Sequence, residues 1–344
     1  MITGFDRLTA TANGAVLDRI PVFCNLIDQG AKELGLPLEE YYSNGEHVAN
    51  AQLRMREKYG YDNVWSLFYV GKEAELLGCK KIVFAKDGPP NVGEMIIRTH
   101  DDIDRLRIPD DIASHPAFQE QLKCLRILRS EVGGRYPICA YVTASMTLPA
   151  ILMGMENWLN LLLNGPADAR DTLLAKCSEF FQREIAALRQ AGADIFVYSN
   201  PFGSTDFIPM KIFQEMSLPW MERDLAAGGT DGVVYYCGGA RMTTVIPQVI
   251  ERLKIKTFYL SPMDDIRAAK ARVDGRALSA GAFNDILLIG WTKEEIRNEV
   301  RRMLQEGMPG GRFFFGTLVM PYRIPEENIR VMLEAVYEYG SQPA

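Results

Sequence analysis

Residues 193–200 read ADIFVYSN and residues 232–238 read GVVYYCG. Both runs are β-branched and aromatic, show little polar alternation, and stop at Ser, Asn, Pro or Gly. A strand covered on one face alternates apolar with polar side chains, so runs of this kind belong to strands buried on both faces. Three more follow at 256–261 (KTFYLS), 277–285 (ALSAGAFND) and 312–317 (RFFFGT), and three precede them at 20–25 (IPVFCN), 63–67 (NVWSL) and 137–143 (PICAYVT). Helical patterns lie between the runs. Leu173, Cys177, Phe181, Ile185 and Leu188 form one stripe, and Thr292 with Glu295 makes a capping box ahead of Ile296, Val300 and Leu304, with a stop at Gly307. Helices between two-face-buried strands imply parallel pairing, and eight such strands close a barrel. The expected fold is therefore a (β/α)8 barrel, one domain over residues 1–344, with its site at the strand C-terminal ends. Residues 79–108 break the alternation. Extended pieces at 80–84 and 93–99 flank Asp87-Gly88-Pro89-Pro90 and predict a β-hairpin excursion.

Bulk properties narrow the function. The 344 residues are 47% hydrophobic and 24% charged, ordinary for a globular chain, and the formal charge of −6 opposes nucleic-acid binding. No run of eighteen apolar residues spans a membrane, and the polar start Ile2-Thr3-Gly4-Phe5-Asp6-Arg7 is no secretory signal. Six cysteines (24, 79, 124, 139, 177, 237) show no paired spacing, which fits reduced thiols and a cytoplasmic home.

The motifs at 19–22 (RIPV), 57–62 (EKYGYD), 101–109 (DDIDRLRIP), 143–154 (TASMTLPAILMG), 191–194 (AGAD), 236–238 (YCG) and 325–329 (PEENI) span nearly the whole chain. In their order and spacing the chain resembles the uroporphyrinogen decarboxylase superfamily, and within it the branch of cobalamin-dependent methyltransferases. The resemblance implies the same barrel, a corrinoid protein that carries the cobalamin as partner, and a small methyl donor or acceptor.

Two departures shape the reading. Thiol-directed members of that branch bind zinc through His-x-Cys-Gly at one strand end and a further Cys near the last strand. Here the first motif is Tyr235-Tyr236-Cys237-Gly238, and the late position falls at Gly316-Thr317-Leu318. The three histidines (47, 100, 115) end no candidate strand. One thiolate, Cys237, is not a zinc site, so zinc is disfavoured. The decarboxylases grip a polycarboxylate with an arginine-rich N-terminal stretch, whereas residues 23–31 (FCNLIDQGA) hold no arginine.

Strand-end position selects the candidate site residues: Tyr235, Asn200 and Asp285 for chemistry, and Asn25, Asp28, Tyr198, Ser199, Asn284 and Met320 for substrate. Each has a plainer reading. Asn200 lies in a loop that merely starts a turn, Asp285 caps the next helix, Asp28 is a first-turn helix acid, and Cys237 is a small buried strand residue. Tyr235 and Tyr236 point to opposite faces of their strand, one into the barrel, and an inward Tyr235 is the expected proton donor. Trp65, Phe68, Phe202 and Trp220, with methionines 146, 153, 155, 210, 216 and 320, make an apolar mouth if they cluster. The reading that follows is demethylation of a methoxylated aromatic by a corrinoid-dependent methyltransferase. The alternative is a cofactor-free decarboxylase or lyase acting on a small carboxylate.

Overall fold

The computed structural model describes residues 2–341. Ten strands occur in it: β1 (Val22–Asn25), β2 (Val64–Trp65), β3 (Ile82–Val83), β4 (Asn91–Val92), β5 (Ile138–Thr143), β6 (Ile195–Ser199), β7 (Val233–Tyr236), β8 (Thr257–Tyr259), β9 (Leu278–Phe283) and β10 (Phe313–Val319). Eight form one parallel sheet in the order β1-β10-β9-β8-β7-β6-β5-β2. These are the eight runs expected from the sequence, and the fold is a (β/α)8 barrel.

The last seam, between β1 and β2, is stitched largely by side chains. The Asp62 N–H donates to the Val22 carbonyl at 2.8 Å, Asn63 Oδ1 accepts from the Cys24 N–H at 3.0 Å, and Trp65 Nε1 donates to the Cys24 carbonyl at 2.8 Å. Asp62 is itself fully buried between Arg7 (2.9 Å) and Arg19 (2.5 Å).

The strands divide the core into two layers. Phe23, Trp65, Tyr141, Val234, Tyr236 and Tyr259 face the barrel interior. Their neighbours Cys24, Val64, Val142, Tyr235 and Phe258 pack outward against the helices. The predicted stripe Leu173–Cys177–Phe181–Ile185–Leu188 is wholly buried on the helix Ala167–Gln190. The Thr292–Glu295 capping box forms at 2.8 Å, and its helix, Lys293–Gly307, buries Ile296, Val300 and Leu304.

The excursion is a hairpin, shorter on its second arm than expected. β3 pairs antiparallel with β4, Ile82 opposite Val92, and residues 93–99 are not a strand. Instead the N–H groups of Ile96 and Ile97 donate to the Leu152 carbonyl, which ties this segment back to the barrel. No helix among the described residues is long and apolar enough to cross a membrane, and all six cysteines are free and buried.

Candidate active site

At the C-terminal end of the barrel, aromatic side chains build the floor of the mouth. Tyr141, on β5, lies between Trp65 and Phe68, stacked at 5.1 and 4.9 Å. Tyr236 meets Tyr141 edge-on at 5.9 Å, and Tyr259 meets Tyr236 at 6.0 Å. Their polar ends are tied down, as buried hydroxyls require. Asn25 Nδ2 donates to the Tyr141 hydroxyl at 3.1 Å, and the Tyr259 hydroxyl donates to the Thr317 carbonyl at 2.7 Å. Asn25 is fixed in turn, since its N–H donates to Thr317 Oγ1 at 2.9 Å and its carbonyl accepts from the Met320 N–H at 2.9 Å. Gly316 leaves the space for Tyr259, because a Cβ there would lie 2.3 Å from that hydroxyl oxygen.

Asp285 follows β9 and is buried just beneath the exposed Ile286. Burial pushes its carboxyl up to about 7, against the lowering pull of the backbone N–H groups of Asp285 itself and Ile286. It lies near enough to Tyr141 and Tyr236 that its charge would raise both hydroxyls further. A carboxyl half protonated near neutrality, beside an aromatic floor, is equipped to give up a proton.

The remaining expected residues fall in different places. Ser199 is part-exposed and continues the inward face begun by Val197. Asn284 is half-exposed on the rim, where its Oδ1 accepts from the Leu287 N–H at 3.1 Å. Asp28 stands at the N-cap of the helix Gln29–Leu34, but its side chain makes no capping hydrogen bond. It accepts from the Tyr42 hydroxyl, its other oxygen has no partner, and burial raises it to about 6.

Asn200 is turned into a buried network under the loop after β6. It accepts from Thr147 Oγ1 at 3.3 Å and donates to Met221 Sδ at 3.1 Å. Tyr198 faces outward and donates to Asp224 Oδ2 at 2.6 Å. Met320 is buried in the helix-side core.

The direction expected for Tyr235 is corrected. It is Tyr236 that enters the barrel, while Tyr235 packs outward with Phe258 and its hydroxyl has no partner. Both faces of β7 are apolar, so the sequence holds no mark of which is which. Of the aromatic and methionine set, Trp65 and Phe68 join the floor, while Met146 is buried in the helix-side core. Tyr141 and Tyr259 went unrecognised in the sequence; their signal was an aromatic two residues before, or at, the end of an inward strand.

The zinc arrangement of the thiol-directed branch does not fit these residues. Cys237 is a lone buried thiol, with tyrosine at 235 where the motif's histidine stands. Its neighbour is the Tyr235 hydroxyl, and Thr317 holds the Asn25 backbone. Among the described residues no three His, Cys, Asp or Glu side chains converge as metal ligands.

The uroporphyrinogen decarboxylase family matches residues 3–339. The chain belongs to that family. Among its relatives, the methylcobamide:CoM methyltransferase MtaA of Methanosarcina barkeri is 22% identical over 97% of each chain. A uroporphyrinogen decarboxylase of Geobacter sulfurreducens is 25% identical over 74% of each. The structure of a methyltransferase from Methanosarcina mazei superposes with a TM-score of 0.84, at 20% identity, covering 98% of this chain and 99% of that one. The chain is thus similar both to proteins named as methyltransferases and to one named as a decarboxylase.

Proposed function

We infer that this family member is a corrinoid-dependent methyltransferase, moving a methyl group between a small molecule and the corrinoid of a partner protein. The observation that carries this is the chemistry of the mouth: an aromatic floor beside the buried Asp285 carboxyl and, among the described residues, no converging guanidinium groups. Arg241 and Arg323, on the loops after β7 and β10, are exposed and paired with Asp206 and Asp87. A polycarboxylate substrate would draw bidentate arginines into the mouth. That weighs against the decarboxylase or lyase alternative.

The rim supports a macromolecular partner. Met263 (64% exposed), Ile286 (67%), Leu287 (51%) and Phe207 (37%) stand on loops following β8, β9 and β6. Large apolar side chains grouped around one opening mark an interaction surface. We assign it to the corrinoid protein.

The donor favoured here is a methoxylated aromatic. Its ring suits the stack of Phe68, Tyr141 and Trp65, and its departing oxygen needs a proton. The nucleophile is supplied by the reduced corrinoid of the docked partner. This chain's part is then to hold the ring against the aromatic floor, to exclude water beneath the partner, and to deliver the Asp285 proton to the leaving oxygen. The named acceptor of the Methanosarcina relatives is CoM. Thiol activation here would have to proceed without the zinc motif that the resemblance to the thiol-directed branch implies, so we place the methyl ether first. The test is incubation with a Co(I) corrinoid protein and a panel of methyl ethers, thiols and amines, following the cobalamin spectrum. Methylation from a methoxybenzoate or methoxyphenol is expected; methylation from thioethers alone would replace the donor, and none from any donor would return the reading to the lyase.

A further inference from the structure

The opposite end of the barrel holds a cavity of about 330 Å³, at the lower end of the roughly 300–1,000 Å³ typical of small-molecule pockets. Its walls are the first inward residues of the strands, among them Phe23, Ile195, Val234, Leu278 and Phe314, with Val197 above Ile195 and Leu8 of the helix Gly4–Ala12 at the edge. Barrel interiors are ordinarily filled by such side chains, so open volume here is unusual.

The walls offer an occupant no free polar group from their aromatic members. Trp65 Nε1 is spent on the Cys24 carbonyl, and the Tyr259 hydroxyl on Thr317. Whatever enters is apolar along its body.

The opening is different. It lies between the turn 230–232 and residues 254–256, where Lys254 and Lys256 are exposed. Among the described residues neither ammonium forms an ion pair, and Lys254 Nζ donates only to the Glu251 carbonyl at 2.5 Å. Asp231 stands on the other lip, also without an ion pair among the described residues, so the lip carries a net single positive charge. The backbone at both lips is specialised. Gly232 turns at φ +74, where a Cβ would lie 2.3 Å from the Asp194 carbonyl oxygen, and Lys254 itself takes the left-handed conformation at φ 60.

We propose that the N-terminal end of the barrel is a second binding site, for an apolar monocarboxylate whose tail fills the barrel's lower half and whose carboxylate lies between Lys254 and Lys256. The site is physically linked to the mouth. Trp65 lines the cavity and stacks on Tyr141, whose hydroxyl is held by Asn25. Occupancy below therefore bears on the aromatic floor above, as an effector would.

Octanoate is the probe, with 1-octanol as its uncharged counterpart, both titrated calorimetrically while tryptophan emission is followed. Expected are one saturable octanoate site per chain, a change in emission that Trp65→Phe removes, and octanol bound at least tenfold more weakly. The double variant Lys254→Glu/Lys256→Glu, altered only at exposed positions, should weaken octanoate at least tenfold, and Asp285→Asn in the mouth should leave it unchanged. The proposal is overturned by the absence of saturable binding, by octanol binding as tightly as octanoate, by unchanged affinity in the charge-reversed variant, or by loss of binding in Asp285→Asn.

Discussion

The two ends of this barrel are built from the same eight strands, yet they hold opposite chemistry. At the C-terminal end the polar groups are buried and hydrogen-bonded into a scaffold, Asn25 to Tyr141 and Tyr259 to Thr317, and the one acid beside them, Asp285, is poised by burial near neutrality. At the N-terminal end the interior is apolar and the charge sits outside, on exposed lysines at the lip. The difference follows from how strands are joined. Loops leaving the strands bring asparagine, aspartate and exposed apolar residues over the mouth, whereas the short turns entering them leave little beyond the strand side chains themselves. One end can therefore do chemistry on a proton, while the other can only hold a shape and a counter-charge.

The largest effect that sharpens this contrast is expected from Asp285→Asn. Methyl transfer from a methyl ether should fall by about 10²–10⁴-fold, the usual contribution of a positioned acid, with binding of the donor retained. Single-turnover formation of methylcobalamin measures it; a variant as fast as the parent would place the proton source elsewhere.

pH should act through the same group. With its carboxyl raised to about 7, Asp285 is protonated below that value and loses its proton above it. The chemical step is then full at pH 6 and falls roughly tenfold per unit once pH passes the raised value. A profile flat from pH 6 to 9 would separate Asp285 from the chemistry.

The rim comes next. Met263→Asp with Ile286→Asp places charge on an apolar docking surface and should raise the KM for the corrinoid protein about tenfold, while transfer to free Co(I) cobalamin stays within a factor of two. An equal loss with both acceptors would mean that the substitutions disturb the site and not the docking.

Stability gives a smaller effect, from a region belonging to neither end. Glu184 is buried behind the sheet with both oxygens unpartnered, near Glu73, which accepts two hydrogen bonds from Thr143. Burial raises Glu184 well above its ordinary value, so the folded chain keeps a proton that the unfolded chain releases above about pH 4.3. Stability is therefore lost as pH rises above the unfolded value. Glu184→Gln should remove that slope, so that its Tm gains on the parent between pH 5 and pH 8.

The smallest effect is expected of Tyr235→Phe. The hydroxyl lies outside the barrel and has no partner, so activity should stay within about twofold and Tm should hold or rise slightly. A large loss of methyl transfer would reopen Tyr235 as the donor.

The sequence by itself determined the barrel. Runs such as ADIFVYSN and GVVYYCG are apolar on both faces because helices cover one face and the barrel interior the other, and that lack of alternation is itself the signal of a parallel strand. It also marked strand ends, which is why Asn25, Ser199 and Asp285 were legible as residues at the mouth. The same feature hid what only the tertiary structure decided. A strand that is apolar on both sides carries no phase, so the sequence could not say whether Tyr235 or Tyr236 enters the barrel, and a one-residue choice moves every side chain to the other face. Asn200 and Met320 sit at strand ends as expected but turn into packed networks, because their partners, Thr147, Met221 and the helix-side core, arrive from distant segments. The cavity at the lower end has no local signature at all. It is the volume left over when eight strands close, and volume belongs to the assembled barrel and not to any stretch of its chain.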